Sequence, residues 1–454
     1  MRILLVEPNF PIPPKSKNHK NFLPIGLLKL HDYYKSIGHK TKLVRGNKSK
    51  QKIGTRFTPD KIMITSLFTY WSNYVWDTVE YYRNNYPNAE IIIGGIYASL
   101  MGRQPDFKEK LKKYNAKVYM GIHKKAEKYA EKNKLDYSIL NNANPVDYQI
   151  IHTSRGCPRR CEFCGTWKIE PTFKSKKSII NEITKRKIVF YDNNLLLNPN
   201  IENILQELIN LKRKKKILWC ESQSGFDGRI LAKKPYLAKL LKQAAFRNPR
   251  IAWDGKLELY PEIKNQLDIL HSGGYRYDEI SVFMIYNWEI SFEEMEEKRI
   301  KCWKWQVQIS DCRYRPLDQT YDNYDFRHPR KIQTNADYFI HKNWSDPLIK
   351  QFRKNVRRQN ICVRQGFYFY SKLFERMQVK KEINIKTREL QRNEVEEYLS
   401  KLKIDYWFPE DITYPEGYTL PTERVYNLNE EKIQTPTSLL NVVHQKQHYL
   451  AGRD

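Results

Sequence analysis

Hydrophobic and polar positions along the chain fall into two successive series of short apolar runs separated by amphipathic stretches. In the first series, Arg2–Val6 is a continuous apolar run ending at Glu7-Pro8, and Lys61–Leu67 and Glu90–Ile93 are two more. Between them, Pro24–Ile37 places Leu27, Leu28, Leu30, Tyr34 and Ile37 at helical spacing and stops at Gly38, and Val75–Asn84 forms a second helix. Apolar strands alternating with helices predict a parallel sheet covered on both faces, here over residues 1–135. Ligands of such sheets bind at the strands' carboxyl ends. Those ends carry Pro8-Asn9, Ser66-Leu67-Phe68-Thr69 and Gly94-Gly95. No Gly-x-Gly-x-x-Gly fingerprint is present, which argues against a nicotinamide cofactor in this domain.

A linker rich in Asn and Lys, Lys124–Pro145, leads into the second series. Strands are predicted at Tyr148–Thr153, Lys187–Tyr191, Ile217–Ser222, Arg250–Trp253, Ile280–Tyr286 and Gln306–Ser310, with helices at Ile201–Leu211, Tyr236–Ala245, Pro261–Leu270 and Phe292–Trp303. Six β/α units suit a partial (β/α)6 barrel over residues 146–330, with its chemistry at the C-terminal strand ends. The polar residues there are Arg155 and nearby cysteines, Asp192-Asn193-Asn194, Glu221 and Gln223, Asp254, Asn287, and Asp311 with Arg313. From residue 331 the pattern weakens. Asp346-Pro347 opens a helix that sets Lys350, Arg353, Lys354, Arg357 and Arg358 on one face. Phe367–Tyr370, a charged helix near Asn393–Leu402 and a Pro-containing tail follow, so residues 331–454 are expected to be a mostly helical, basic extension.

Charge adds a possible partner without choosing one. The 454 residues hold 80 Lys+Arg against 51 Asp+Glu, a net charge of +29, and 13% of them are aromatic. Cations neutralise phosphates and aromatics stack on bases, so a nucleic acid is one candidate; a compositional drift toward Lys, Asn, Ile and Tyr is the other explanation. No apolar run approaches the ~18 residues of a spanning helix, and Glu7-Pro8 interrupts the N-terminus too early for a signal peptide. A cytoplasmic protein with no membrane partner is expected.

Seven cysteines are too few for a disulfide scaffold. None precedes Cys157; then Cys157, Cys161 and Cys164 fall within eight residues, a Cys-x3-Cys-x2-Cys loop directly after a strand. Three thiolates can hold three irons of a [4Fe–4S] cluster and leave the fourth iron open to a chelating small molecule. Arg155, Arg159 and Arg160 would favour the thiolates and offset the cluster's charge. A closed zinc site is the competing reading, and it would need His152 or Cys220 as a fourth ligand.

The segment Cys157–Cys164, with Phe163 before the third cysteine, resembles the signature of the radical S-adenosylmethionine (SAM) superfamily. That resemblance implies a [4Fe–4S] cluster whose open iron chelates SAM, an external low-potential electron donor, and reductive cleavage to a 5′-deoxyadenosyl radical. By strand order, it places Asp192, Asn193 and Asn194 at the SAM amino group, and Glu221, Gln223, Trp253 and Asp254 around the ribose and methionine. The N-terminal domain resembles the Rossmann-like cobalamin-binding domain of a large radical-SAM subgroup. The supporting residues are Val6–Asn9, Pro24–Leu27, Ser66–Tyr70, Gly94-Gly95 and Tyr119–His123. Ser66, Leu67, Thr69, Gly94 and Gly95 are the implied cobalamin contacts. No Asp-x-His-x-x-Gly occurs, so no lower-axial histidine is implied. The methylthiotransferases of transfer RNA share this outline, but their extra cluster needs N-terminal cysteines that the chain lacks.

The expected activity is therefore radical C–H functionalisation with cobalamin, most often methyl transfer. Asn287, Asp311 and Arg313 are the catalytic candidates near the substrate, with Tyr314, Arg315 and Cys312 beside them. One alternative is a cobalamin-independent radical-SAM enzyme acting on RNA or DNA through Lys350–Arg358, Lys212–Lys216 and Phe367–Tyr370. The other is a non-catalytic metal-cluster protein that binds nucleic acid. Whether the substrate is a small molecule, a peptide or a nucleic acid is left open.

Overall fold

A computed structural model of the chain describes residues 1–12, 23–140, 146–325, 327–328, 330–377, 392–401 and 403–417. The first apolar series forms one wholly parallel sheet of five strands, in the order β2-β1-β3-β4-β5: β1 (Arg2–Glu7), β2 (Lys40–Arg45), β3 (Lys61–Ser66), β4 (Glu90–Gly95) and β5 (Ala116–Val118). Successive side chains of a strand point to opposite faces, so a strand covered on both sides must be apolar at every position. Leu4 and Val6 of β1 face one core with Ile62, Ile64, Ile91, Ile93, Trp76 and Val79, whereas Ile3 and Leu5 face another with Leu27 and Met63. The helices Ile25–Ser36 and Ser72–Asn85 flank these strands in sequence.

The two edge strands carry no such signature. β2 reads Lys-Thr-Lys-Leu-Val-Arg and none of its residues is buried, while β5 has three residues. An edge strand needs apolar contact along less of its length and tolerates lysine.

All six strands of the second series form. β6 (Tyr148–Ile151), β9 (Lys187–Phe190) and β10 (Trp219–Ser222) make a parallel sheet in the order β10-β9-β6. β11 (Arg250–Ala252), β12 (Ser281–Tyr286) and β13 (Gln308–Arg313) make a second parallel sheet in the order β11-β12-β13. Between β6 and β9, the short antiparallel pair β7 (Ser154–Arg155) and β8 (Lys174–Ser175) closes a hairpin. The chain is a mixed α/β protein of two compact units: Met1–Arg247 with Arg315–His328 and Gln333–Phe339, and a second built mainly from Asn248–Tyr314 and the described residues after Phe339.

In the second unit, the helix Asp346–Gln365 ends where Gly366 takes a left-handed φ of 68°, a conformation glycine adopts without steric cost. Phe367, Phe369, Trp407 and Phe408 pack there with Trp303 and Leu399. The tail expected after Lys403 lies outside the described residues from 418 on, as do residues 141–145 of the linker. Among the described residues, no helix is long and apolar enough to cross a membrane.

Candidate active site

The three cysteines lie on the hairpin between β7 and β8, and its base is held at several points. Asp192, fully buried just after β9, accepts hydrogen bonds from the Thr153 and Ser154 amides (3.0 and 2.6 Å) and from both hydroxyls (2.6 and 2.7 Å). Burial pushes its carboxyl upward, against the pull of those four donors. Asn198 donates to the carbonyls of Thr153 and Lys176, on the two arms of the hairpin (3.0 and 3.2 Å). Glu170 accepts from Arg155 Nε at 3.0 Å, from Arg155 Nη2 and from the Gly156 amide at 2.9 Å. Gly156 has φ 77°, and a Cβ there would sit 2.5 Å from the Thr172 carbonyl oxygen.

Farther along the hairpin, Arg159 pairs with Asp227 at 2.7 Å, and the same carboxylate accepts from Asn194 Nδ2 at 2.9 Å. Cys164 Sγ lies 3.3 Å from Thr166 Oγ1, and the Trp167 indole donates to the Cys161 carbonyl. Cys157, Cys161 and Cys164 are half-buried and in no disulfide, and Phe163 before the last is also half-buried. Among the described residues, the three sulfurs do not form a group within 4.8 Å of one another. His152 is buried, its Nε2 accepts from Arg155 Nη1 at 2.8 Å, and burial holds its pKa well below the usual imidazole value. Cys220 is fully buried within β10, and burial pushes its thiol up.

The strand-end residues divide into two kinds. Asp192 braces the hairpin through the Thr153 and Ser154 donors. Asn193 has only long contacts, to Thr166 Oγ1 and Glu170 at 3.4 Å. Among the described residues, no group donates to the buried acceptors Asn194 Oδ1 and Gln223 Oε1. Glu221 is fully buried on β10 with Arg247 Nε at 3.3 Å, and that guanidinium lies 3.4 Å over the Trp219 ring.

A cavity of about 260 Å³ opens at the carboxyl ends of β3 and β4. Ser66, Leu67, Gly94 and Gly95 all line it; Thr69, buried in a short turn, does not. Arg155, Ile169 and Glu170 of the cysteine hairpin form part of the same wall, so cavity and hairpin share the Arg155–Glu170 pair. The two adjacent glycines have different reasons to be glycine. A Cβ on Gly95 (φ 96°) would meet the Ser66 carbonyl oxygen at 2.2 Å, so its identity is fixed by strand packing and not by a ligand. A Cβ on Gly94 would approach nothing closer than 3.7 Å, and one on Gly26 nothing within 4 Å. Both line the cavity, and their missing side chains widen it.

Lys29 and Glu127 pair in the wall at 2.7 and 2.8 Å, and burial draws the lysine pKa down against the attraction of its partner. His123 also lines the cavity, but its Nδ1 accepts from the Ala126 amide at 3.2 Å. In the neutral ring that leaves the proton on Nε2 and no lone pair for a metal.

The remaining candidates belong to the second unit. Trp253, expected to line a nucleoside pocket, is fully buried: it stacks on Trp305 at 5.6 Å, donates to the Lys256 carbonyl at 3.0 Å and sits under the Lys298 ammonium. Lys298 donates to the carbonyls of Trp253 and Gly255, and burial lowers its pKa to about 8, with Asp254 opposing the shift. Trp253 is therefore a packing residue, and half-buried Asp254 lies within the field of Lys298. Asn287 is fully buried at φ 60°, with Oδ1 accepting from the His341 amide at 2.9 Å, a turn-forming role. Asp311, on β13 opposite Met284, has Arg353 at 3.8 Å; burial raises its pKa and the arginine opposes this. Arg313 ends β13 opposite Tyr286, and Tyr314 stacks on Trp288 at 5.5 Å. Arg315, in the first unit, binds Asp322 at 2.6 Å and covers Tyr70.

Glu170, Asp227 and Asn198 were not apparent from the sequence. Asp227 caps the helix Gly228–Lys233 by accepting from the Arg229 amide, and Asp-Gly before an apolar run is a readable cap. Nothing local marks Glu170 or Asn198. No protein-family model and no curated protein matches the chain.

Proposed function

We propose that the chain is a radical-SAM enzyme that holds a [4Fe–4S] cluster on Cys157, Cys161 and Cys164 and works with cobalamin in methyl transfer to an unactivated centre. The observation that carries this reading is the cysteine hairpin: three half-buried cysteines on a braced loop that follows a parallel strand, in no metal-type group with a further ligand among the described residues. A single tetrahedral zinc brings sulfurs at about 2.3 Å to within about 3.8 Å of one another. The cysteines are not gathered into one 4.8 Å group, and His152 and Cys220 are both committed elsewhere. Three irons at separate corners of a cluster suit a wider set of thiolates.

The buried acceptors Asn194 Oδ1 and Gln223 Oε1 suit a ligand that brings N–H or O–H donors, as the ammonium and ribose of SAM do. The Gly26 and Gly94 widening suits a flat ligand laid against the sheet's carboxyl edge, and His123 is left as a donor instead of an axial ligand. When bound, the cluster supplies the electron that cleaves SAM, and cobalamin carries a methyl group. The protein's own part is to orient and insulate. Asp192 and Glu170 fix the hairpin, Arg159 is held by Asp227, and the Lys29–Glu127 pair lines the cavity wall without leaving a lone charge.

The test is anaerobic reconstitution with iron, sulfide and hydroxocobalamin, followed by a metal count and assay of SAM cleavage to 5′-deoxyadenosine. About four irons and one cobalt per chain, with the iron lost in Cys161→Ala, are expected. Iron without cobalt would end the methyl-relay part; no iron, with zinc held by the cysteines, would end the whole reading.

A further inference from the structure

The helix Ile25–Ser36 sends Lys29 into the cavity wall, and its next turn carries a second chemical group. His31 and Asp32 are 6% and 7% exposed, and together with Asp136 of the linker they bring one ligand atom each to within 4.8 Å of one another. Each side chain is oriented through one atom and presents another. His31 Nδ1 is bonded to Thr41 Oγ1. Asp32 Oδ2 accepts from the Asp136 amide at 2.8 Å, and Asp136 Oδ1 accepts from the Ser138 amide at 2.9 Å. That leaves His31 Nε2 facing Asp32 Oδ1 at 3.8 Å, beyond hydrogen-bond range and slightly wider than the ~3.4 Å between nitrogen and oxygen ligands on one tetrahedral zinc.

Burial raises the Asp32 pKa to about 6 and lowers that of His31, so at neutral pH the carboxylate is mostly ionised and the ring neutral. The nearest cation is Lys35, exposed, with Nζ 3.4 Å from Asp136 Oδ2. A histidine fixed through its other nitrogen, plus two carboxylates and room for water beside half-buried Asp136, is a donor set for a borderline divalent ion.

We propose that His31, Asp32 and Asp136 bind a zinc-type divalent cation that clips the linker ahead of β6 to the first helix. The site is independent of the cysteine hairpin and of the reaction proposed for it.

The probe is Zn²⁺ alone, added to the full chain with Cys157, Cys161 and Cys164 replaced by serine so that the hairpin thiols do not compete. Equilibrium dialysis and metal analysis should find one retained zinc. His31→Ala and Asp136→Asn should each weaken binding at least tenfold, and Thr41→Val, which frees the imidazole, roughly tenfold. Lys35→Met should tighten it, because Lys35 competes for Asp136. No retained zinc, or zinc that His31→Ala and Asp136→Asn hold as tightly, would overturn the site. If His31→Ala does not fold by circular dichroism, Lys35→Met decides, and an affinity equal to that of the parent chain overturns the proposal.

Discussion

Asp192 and Asn194 are two positions apart at the end of one strand, and their environments give them opposite jobs. Asp192 has every donor it can use within 3.1 Å and no exposure, whereas Asn194 keeps a buried oxygen to which no described residue donates. From the sequence alone the three residues Asp192-Asn193-Asn194 were equivalent candidates, because residue type says what a side chain can accept and not which neighbours have already filled it. The same applies to Trp253 and Asn287, residues at strand ends that are fully buried, Asn287 accepting from the His341 amide. The Asp192 geometry gives a direct expectation. Asp192→Asn places an amide where the Thr153 and Ser154 donors converge, and leaving such buried donors unmatched costs about 1–3 kcal/mol. Thermal unfolding should show a loss of that size, together with reduced iron uptake after reconstitution. A variant as stable as the parent that loads iron normally would show that the hairpin does not depend on this carboxylate.

In the first sheet, the strands buried on both faces were legible and the two edge strands were not. Continuous apolar runs marked β1, β3 and β4, because a strand sandwiched between helices has no position for a polar side chain, and the six strands of the second series, some of them with polar residues, were legible from their spacing between helices to within a few residues. β2 and β5 escaped because an edge strand carries lysines and little length. The β7–β8 hairpin escaped for another reason: its shape is imposed by Asp192, Asn198 and Glu170, which lie 14 to 45 residues from the groups they hold. A local pattern cannot encode such partners. The hairpin's tightest point is Gly156, where a left-handed φ coincides with the Thr172 carbonyl 2.5 Å from any added Cβ. Gly156→Ala should force the hairpin open at its base, at a cost of about 1–3 kcal/mol for the strained backbone alone. Iron loading should fall sharply while Gly94→Ala, which meets no neighbour closer than 3.7 Å, loads iron as the parent does. Equal iron content in the two variants would refute this placement of strain.

For the molecule as a whole, a charge of +29 would bind polyanions whatever the protein's function, so the useful question is which cations are available. The basic face predicted on the helix Asp346–Gln365 is largely engaged within its own unit. Lys350 binds Asp346 at 2.7 Å, Arg353 lies 3.8 Å from Asp311, Arg357 pairs with Glu375, and Arg358 covers the rings of Tyr370 and Trp407. Arg213–Lys216 is different: all four residues are exposed at the carboxyl end of the helix Ile201–Arg213, where cations also stabilise the helix terminus. Binding of a single-stranded homopolymer should therefore be salt-steep and unspecific, and it should respond to the exposed run. Each phosphate contact contributes about 0.7 to the slope of log K against log salt, so neutralising Arg213, Lys214, Lys215 and Lys216 to Gln should lower the slope by up to about 3. Arg353→Gln with Arg357→Gln should leave it unchanged, since those guanidiniums already have carboxylate partners. If the pair lowered the slope and the run did not, the helix Asp346–Gln365 would be a nucleic-acid interface, and a nucleic-acid substrate would displace the methyl-acceptor search as the first thing to pursue.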